Sequence, residues 1–187
     1  MNIHTAHHHY DLNGRDTVIE GYIEASLNFA YSHLKRHVWS MLDVGADYGY
    51  AMHYAEDSLE CSRAVGIEPY LKHNPWGLDI RRISAEDPRL RLEVEGEFDL
   101  IFLNHTLEHF YNPTLVLSNL EHVRSAETKL FVAVPHANSE WSKWEGHFSI
   151  WTSDWLDHFC RTNGWRCVEL VERELRPGCV EVWGVFE

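Results

Sequence analysis

Two groups of residues in this 187-residue chain have types and spacings that can do chemistry. The first is Leu42-Asp43-Val44-Gly45-Ala46-Asp47-Tyr48-Gly49. A glycine turn between an apolar strand and a helix aims backbone N–H groups and a helix N-terminus at a ligand, and glycine permits close approach. The spacing departs from G-x-G-x-x-G, because only Gly45 and Gly49 are present. About twenty residues on, Glu68 closes the next apolar run, where a carboxylate can accept from both hydroxyls of a ribose. A tight turn without a ligand and a solvated strand end are the plain structural alternatives.

The second group is rich in histidine. His105-Thr-Leu-Glu108-His109 follows the apolar run Phe98 to Asn104 and spells H-x-x-E-H, an inverted zincin order. That motif needs a long helix, and the run before it reads as strand, so no metal is expected. His109 is expected to pack or cap locally. The run His7-His8-His9 sits in a polar N-terminal stretch and reads as idle.

Periodicity predicts the elements that must position these residues. Val18 to His37 spaces its apolar residues as a helix does. Val38 to Gly45 is a short buried strand, and Tyr48 to Ser58 returns to helical composition. Arg63 to Glu68 and Leu78 to Ile83 are the next strands. Phe98 to Asn104 is apolar enough for burial on both faces. Pro113 to Val123 is a helix, and Lys129 to Val134 a strand halted by Pro135. Thr152 to Asn163 runs as a helix from a Thr/Ser/Asp cap to the stop at Gly164. Arg166 to Glu174 and Cys179 to Phe186 alternate around Arg176-Pro177-Gly178, the pattern of a hairpin. This order predicts a doubly wound α/β sheet with an antiparallel edge.

The length suits one domain with a short extension. With 16 Lys plus Arg against 29 Asp plus Glu, the net charge of −13 disfavours a broad grip on nucleic acid. The 14 histidines make that charge depend on pH. No apolar run approaches the roughly 20 residues of a membrane span, and no secretory pattern opens the chain. Cys61, Cys160, Cys167 and Cys179 form no C-x-x-C pair, so free thiols in a cytoplasmic protein are expected.

From Met41 onward the chain resembles the class I S-adenosylmethionine-dependent methyltransferases, in the branch with a Leu-Glu-His motif after strand 4. Met41 to Gly49 looks like the first motif, and Ala64 to Pro69 like the second strand with its ribose-binding acid. Phe98 to His109, FDLIFLNHTLEH, looks like the fourth strand and its motif. Leu130 to Pro135 and His147 to Trp165 resemble the fifth strand and the later histidine-aromatic stretch. The resemblance implies a Rossmann-like, mostly parallel seven-stranded sheet with helices on both faces and an antiparallel C-terminal hairpin. Residues 1–37 would form an extension and cap helix, and residues 38–187 the S-adenosylmethionine-binding domain. Asp47 stands where the family usually has a central glycine, although Asp tolerates positive φ.

Carried over position by position, Asp43, Gly45, Ala46, Asp47 and Gly49 would surround the methionine end of the cofactor. Glu68 would hold the ribose, Pro69 and Glu86 would border the adenine, and Asn104 and His105 would lie beneath the sulfonium. Methyl transfer to a small-molecule oxygen or nitrogen needs alignment and exclusion of water, and a hydroxyl acceptor benefits from a general base. His105 is the first candidate, with His136 and His147 behind it. Trp141 and Trp144, in the polar loop Asn138 to Gly146, would wall or lid the acceptor pocket unless they serve the core. No nucleic-acid or membrane partner is implied. A catalytically degenerate binding module on the same fold, and a metal-dependent hydrolase built on the histidines, are the alternatives.

Overall fold

The computed structural model describes residues 17–35 and 39–187. The His7-His8-His9 run, the last two residues of the expected first helix and the first residue of the expected first strand lie outside the described residues.

Seven strands form one sheet: β1 (Trp39–Val44), β2 (Cys61–Ile67), β3 (Ile80–Arg81), β4 (Phe98–Asn104), β5 (Arg124–Pro135), β6 (Cys167–Arg176) and β7 (Cys179–Phe186). Their order is β3-β2-β1-β4-β5-β7-β6. The first five are parallel, and β7 runs antiparallel between β5 and β6. From β1 the chain steps outward to β2 and β3, then returns to place β4 on β1's other side. The topological switch point therefore falls between β1 and β4.

Successive residues of a strand face opposite sides of the sheet, and that alternation divides the core in two. Met41, Leu100, Phe102, Phe131 and Trp183 face the helices α1 (Thr17–Tyr31) and α2 (Tyr50–Ser58), which contribute Leu27, Ala30, Met52 and Ala55. Leu42, Ile101, Leu103 and Val132 face α3 (Leu90–Glu93), α4 (Pro113–Leu120) and α5 (Ser153–Thr162), which contribute Leu90, Val116, Leu120, Leu156 and Phe159. Covered on both faces, β4 has to be apolar throughout, and its observed bounds match those read from the sequence.

Several bounds differ from the periodicity. β3 keeps only Ile80–Arg81 of the expected Leu78 to Ile83, β2 begins at Cys61 instead of Arg63, and the helix from Pro113 ends at Leu120 instead of Val123. Three further shifts have a visible local setting. The first helix stops at Tyr31, because Ser32 Oγ and His33 Nδ1 both donate to the Phe29 carbonyl, at 2.7 and 2.9 Å. Those bonds occupy a helix-end carbonyl that a further turn would have used. The strand expected from Lys129 begins at Arg124. Its polar first half is held by Thr128 Oγ1, which accepts the Ser125 amide at 2.8 Å and donates to the Phe98 carbonyl at 2.6 Å. The second helix begins at Tyr50, one turn-residue beyond Gly49, whose φ of 91° is left-handed.

Phe102 is buried at the sheet centre and stacks on Phe131 with centroids 5.0 Å apart. Phe102→Ala should lower unfolding free energy by about 3–5 kcal/mol in urea titration, the cost of a large aromatic cavity.

Candidate active site

The turn after β1 is pinned before any side chain acts. The Ile67 carbonyl accepts from Gly45 N at 2.9 Å and from Ala46 N at 3.2 Å, and Gly49 N donates to Ala46 O at 2.7 Å. Gly45, Asp47 and Gly49 have φ of 81°, 48° and 91°. Asp47 thus adopts the left-handed conformation that its position requires. A Cβ on Gly45 would stand 2.5 Å from the Thr106 side chain, and one on Gly49 would stand 2.7 Å from Leu78. Glu68 follows β2 and is oriented by two amides, Tyr70 N at 2.9 Å and Asp47 N at 3.4 Å. The glycine turn and the acid that the sequence separates by about twenty residues thus meet at the carboxyl edge of the sheet.

Asp43 is buried beneath this turn. Burial, then the charges of Glu68 and Asp47, push its carboxyl up from 3.8 to about 8. Three carboxylates gathered at one turn make a region short of positive charge.

His105 leaves β4 with φ 51° after its amide closes the β4–β5 pairing on Ala133 O at 2.9 Å. Its Nε2 lies 2.5 Å from Glu181 on β7, and its Nδ1 lies 3.4 Å from Glu108. The other Glu181 oxygen accepts from Trp183 Nε1 at 2.5 Å. Burial alone would drive the proton off His105. The Glu181 charge and hydrogen bonds to Glu108 and Glu181 outweigh it and lift the ring from 6.5 to about 10. At neutral pH the ring is an imidazolium with both nitrogens turned to carboxylates. That state differs from the neutral imidazole a general base requires.

Trp141 stands edge-on to His105, with centroids 5.6 Å apart, and Arg176 lies 5.3 Å over the indole. Trp144, 6.0 Å from Trp141, is exposed. The other residues disperse. His136 accepts from Asn138 N at 3.1 Å through Nδ1 and turns Nε2 towards Glu172, 3.7 Å away on β6. Glu172 pairs with Val182, which faces the α5 side of the sheet, whereas Glu181 is its neighbour on the other face. His136 and His105 are thus separated by the sheet. His147 instead joins His105 through Glu108, packing on His109 with centroids 4.7 Å apart. Glu86 accepts from Asn112 N at 2.7 Å, Pro69 is exposed, and Asn104 ends β4 half-buried.

Sequence reasoning missed Glu181. A signal was present: along Cys179 to Phe186 it shares a face with Trp183 and Val185, so it is a lone charge on an apolar, buried side. The aromatic wall beyond the glycine turn was also missed. There Trp76 stacks on His53 at 4.5 Å and on Tyr48 at 5.7 Å.

Two outcomes follow from the charges. An Asp whose pKa is raised on folding favours the folded state when protonated, so its contribution is lost as pH rises from about 4 towards 8. Asp43→Asn should therefore narrow the difference in unfolding free energy between pH 5 and pH 8 measured by urea titration. Glu181→Gln should move the imidazole NMR titration of His105 down from about 10 towards its ordinary 6.5.

Residues 19–170 match the family described as a methyltransferase domain. No curated protein matches the sequence. Among solved structures, the fold is similar to a Burkholderia thailandensis 1,6-didemethyltoxoflavin-N1-methyltransferase with bound 1,6-didemethyltoxoflavin and S-adenosylhomocysteine, at 16% identity and TM-score 0.74, covering 94% of this chain and 82% of that one. It is also similar to a SAM-dependent methyltransferase from Archaeoglobus fulgidus, at 11% identity and TM-score 0.73, covering 94% and 96%. The [4+2]-cyclase SpnF shares the fold at 11% identity and TM-score 0.68, covering 86% and 79%. With the family match spanning most of the chain and a sheet order that agrees, this chain belongs to the methyltransferase domain family.

Proposed function

We propose that this methyltransferase uses S-adenosylmethionine to methylate an oxygen or nitrogen of a small molecule. One observation carries the reading: the left-handed Gly45–Gly49 turn, Glu68 and His105 all converge at the carboxyl ends of β1, β2 and β4, at the switch point. The residues suit the cofactor. Gly45 and Gly49 keep the turn clear of side chains, and Glu68 has its carboxylate oriented by two amides towards the place of a ribose. Asp47, which is exposed where Asp43 is buried and held protonated, supplies negative charge where a ligand bearing an ammonium and a sulfonium needs it. When bound, the cofactor supplies a methyl group already electrophilic on sulfur.

The protein's remaining tasks are to position the acceptor and exclude water. Trp141 is suited to the first. Its indole N–H is buried with no partner among the described residues, and it lies against His105, so an acceptor oxygen or nitrogen would satisfy it. The Glu181–His105–Glu108 chain holds a charged ring between two carboxylates, so His105 can take a proton from an acceptor only in a state that has already lost one of its own. We assign His105 with Glu181 as the proton-handling pair, and His136 and His147 to supporting positions outside it. The cap role belongs to α1: Glu24 accepts from the Tyr50 hydroxyl at the start of α2, and Tyr22 packs 6.3 Å from Trp141.

The competing reading, a binding module that no longer catalyses, draws on Asp47, whose carboxylate stands where the family usually has glycine. Turnover with an acceptor panel separates the two. Calorimetry with S-adenosylmethionine and S-adenosylhomocysteine should show one site per chain, weakened at least tenfold, about 1.4 kcal/mol, in Glu68→Ala. Absence of binding at millimolar ligand would overturn the methyl-transfer reading, and unchanged affinity in the variant would remove the ribose assignment.

A further inference from the structure

The Leu107–His109 turn and the loop that follows β5 come together as a polar cluster beside the site already described. One carboxylate oxygen of Glu108 and one ring nitrogen each of His109 and His147 lie within 4.8 Å of one another. We propose that Glu108, His109 and His147 form a divalent transition-metal site of the zinc class. The inference does not rest on the methyl-transfer reading, because metal affinity can be measured without turnover.

Three observations carry it. First, Glu108 is only 1% exposed, yet its carboxylate has no close, well-aligned donor among the described residues, and the long 3.4 Å contact from His105 reaches one oxygen only. A buried carboxylate without such donors is costly, and a cation is the natural way to satisfy it. Second, His109 Nδ1 donates to the Gly146 carbonyl at 3.0 Å. That bond fixes the tautomer and leaves Nε2 as the basic nitrogen, the arrangement by which a metal-ligating histidine is oriented. Third, the loop is fastened to the turn without any metal. Phe148 N and Ser149 N donate to the Glu108 carbonyl at 2.8 and 3.3 Å, and Tyr111 stacks on Phe148 at 4.0 Å. His147 is therefore carried to Glu108 and His109 by the backbone, and the three ligands are brought together before a metal arrives.

The ligand chemistry selects the metal. Two imidazoles and one carboxylate suit zinc, whereas magnesium and calcium prefer all-oxygen surroundings. A tetrahedral zinc spaces its ligand atoms roughly 3.4 Å apart, from metal–ligand distances near 2.1 Å, so the three atoms close in from the 4.8 Å that bounds them here. Three protein ligands leave a fourth position for water or another small ligand. The helical His105–His109 pair suggested by H-x-x-E-H does not form, because residues 107–109 make only a single 3₁₀ turn. The geometry pairs His109 with His147 instead.

The test uses the full chain with His4, His7, His8 and His9 replaced by alanine, so that the N-terminal histidines cannot bind metal. Zn(II) titrated against a chromophoric chelator should reveal one site per chain at submicromolar affinity. Glu108→Gln and His147→Ala, each confirmed folded by circular dichroism, should each weaken it at least 100-fold. His147 sits on a half-exposed loop, so its variant is informative even if Glu108→Gln fails to fold. Co(II) should give the visible bands of a tetrahedral nitrogen–oxygen site. No binding by the parent, unchanged affinity in a folded variant, or a thiolate charge-transfer band from the cysteines would each overturn the proposal.

Discussion

The Ile67 carbonyl holds two amides, those of Gly45 and Ala46, and much of the site depends on that clasp. It ties the chain leaving β1 to the end of β2 and forces the following residues into left-handed geometry. The acid before the turn and the acid after β2 are thereby pressed together. In a low-dielectric setting such crowding is resolved either by protonation or by donors, and both occur here. Asp43 keeps its proton into the neutral range, and Glu68 is steadied by the amides of Tyr70 and Asp47. The fold thus maintains a reserve of negative charge at its switch point.

How much of this is legible in the sequence depends on which physical demand each residue meets. β4 is readable because a strand covered on both faces needs an unbroken apolar run. The first half of β5 is not, since Arg124 to Glu127 lies where solvent reaches and is held by the hydroxyl of the buried Thr128. The end of α1 is hidden because side-chain bonds to one carbonyl leave no trace in periodicity. In the site, Gly45, Gly49 and Glu68 are readable because positive φ and a strand-closing acid restrict residue type. His105 is readable as a participant but not in its charge. That charge is set by Glu181, 76 residues away in the chain, and by a hairpin whose register no local pattern specifies.

The Glu181–His105–Glu108 chain also links elements that the hydrogen-bond ladder leaves apart. β4 and β7 are not neighbours, since β5 lies between them. The imidazolium bridges across the end of β5, and Glu108 extends the link to the loop carrying Gly146 to Ser149. Charge and backbone bonding therefore cooperate in fixing the rim opposite the glycine turn. Trp141, resting on His105, inherits its orientation from this link.

Insertion of β7 between β5 and β6 has a consequence for the order of events on the ribosome. The glycine turn, Glu68 and His105 emerge early, and β1 to β5 can assemble as they appear. Glu181 emerges only with the second arm of the hairpin, so until then His105 lacks its partner and the edge of β5 is unpaired. During synthesis the glycine turn and Glu68 thus emerge well before the carboxylate that sets the charge of His105.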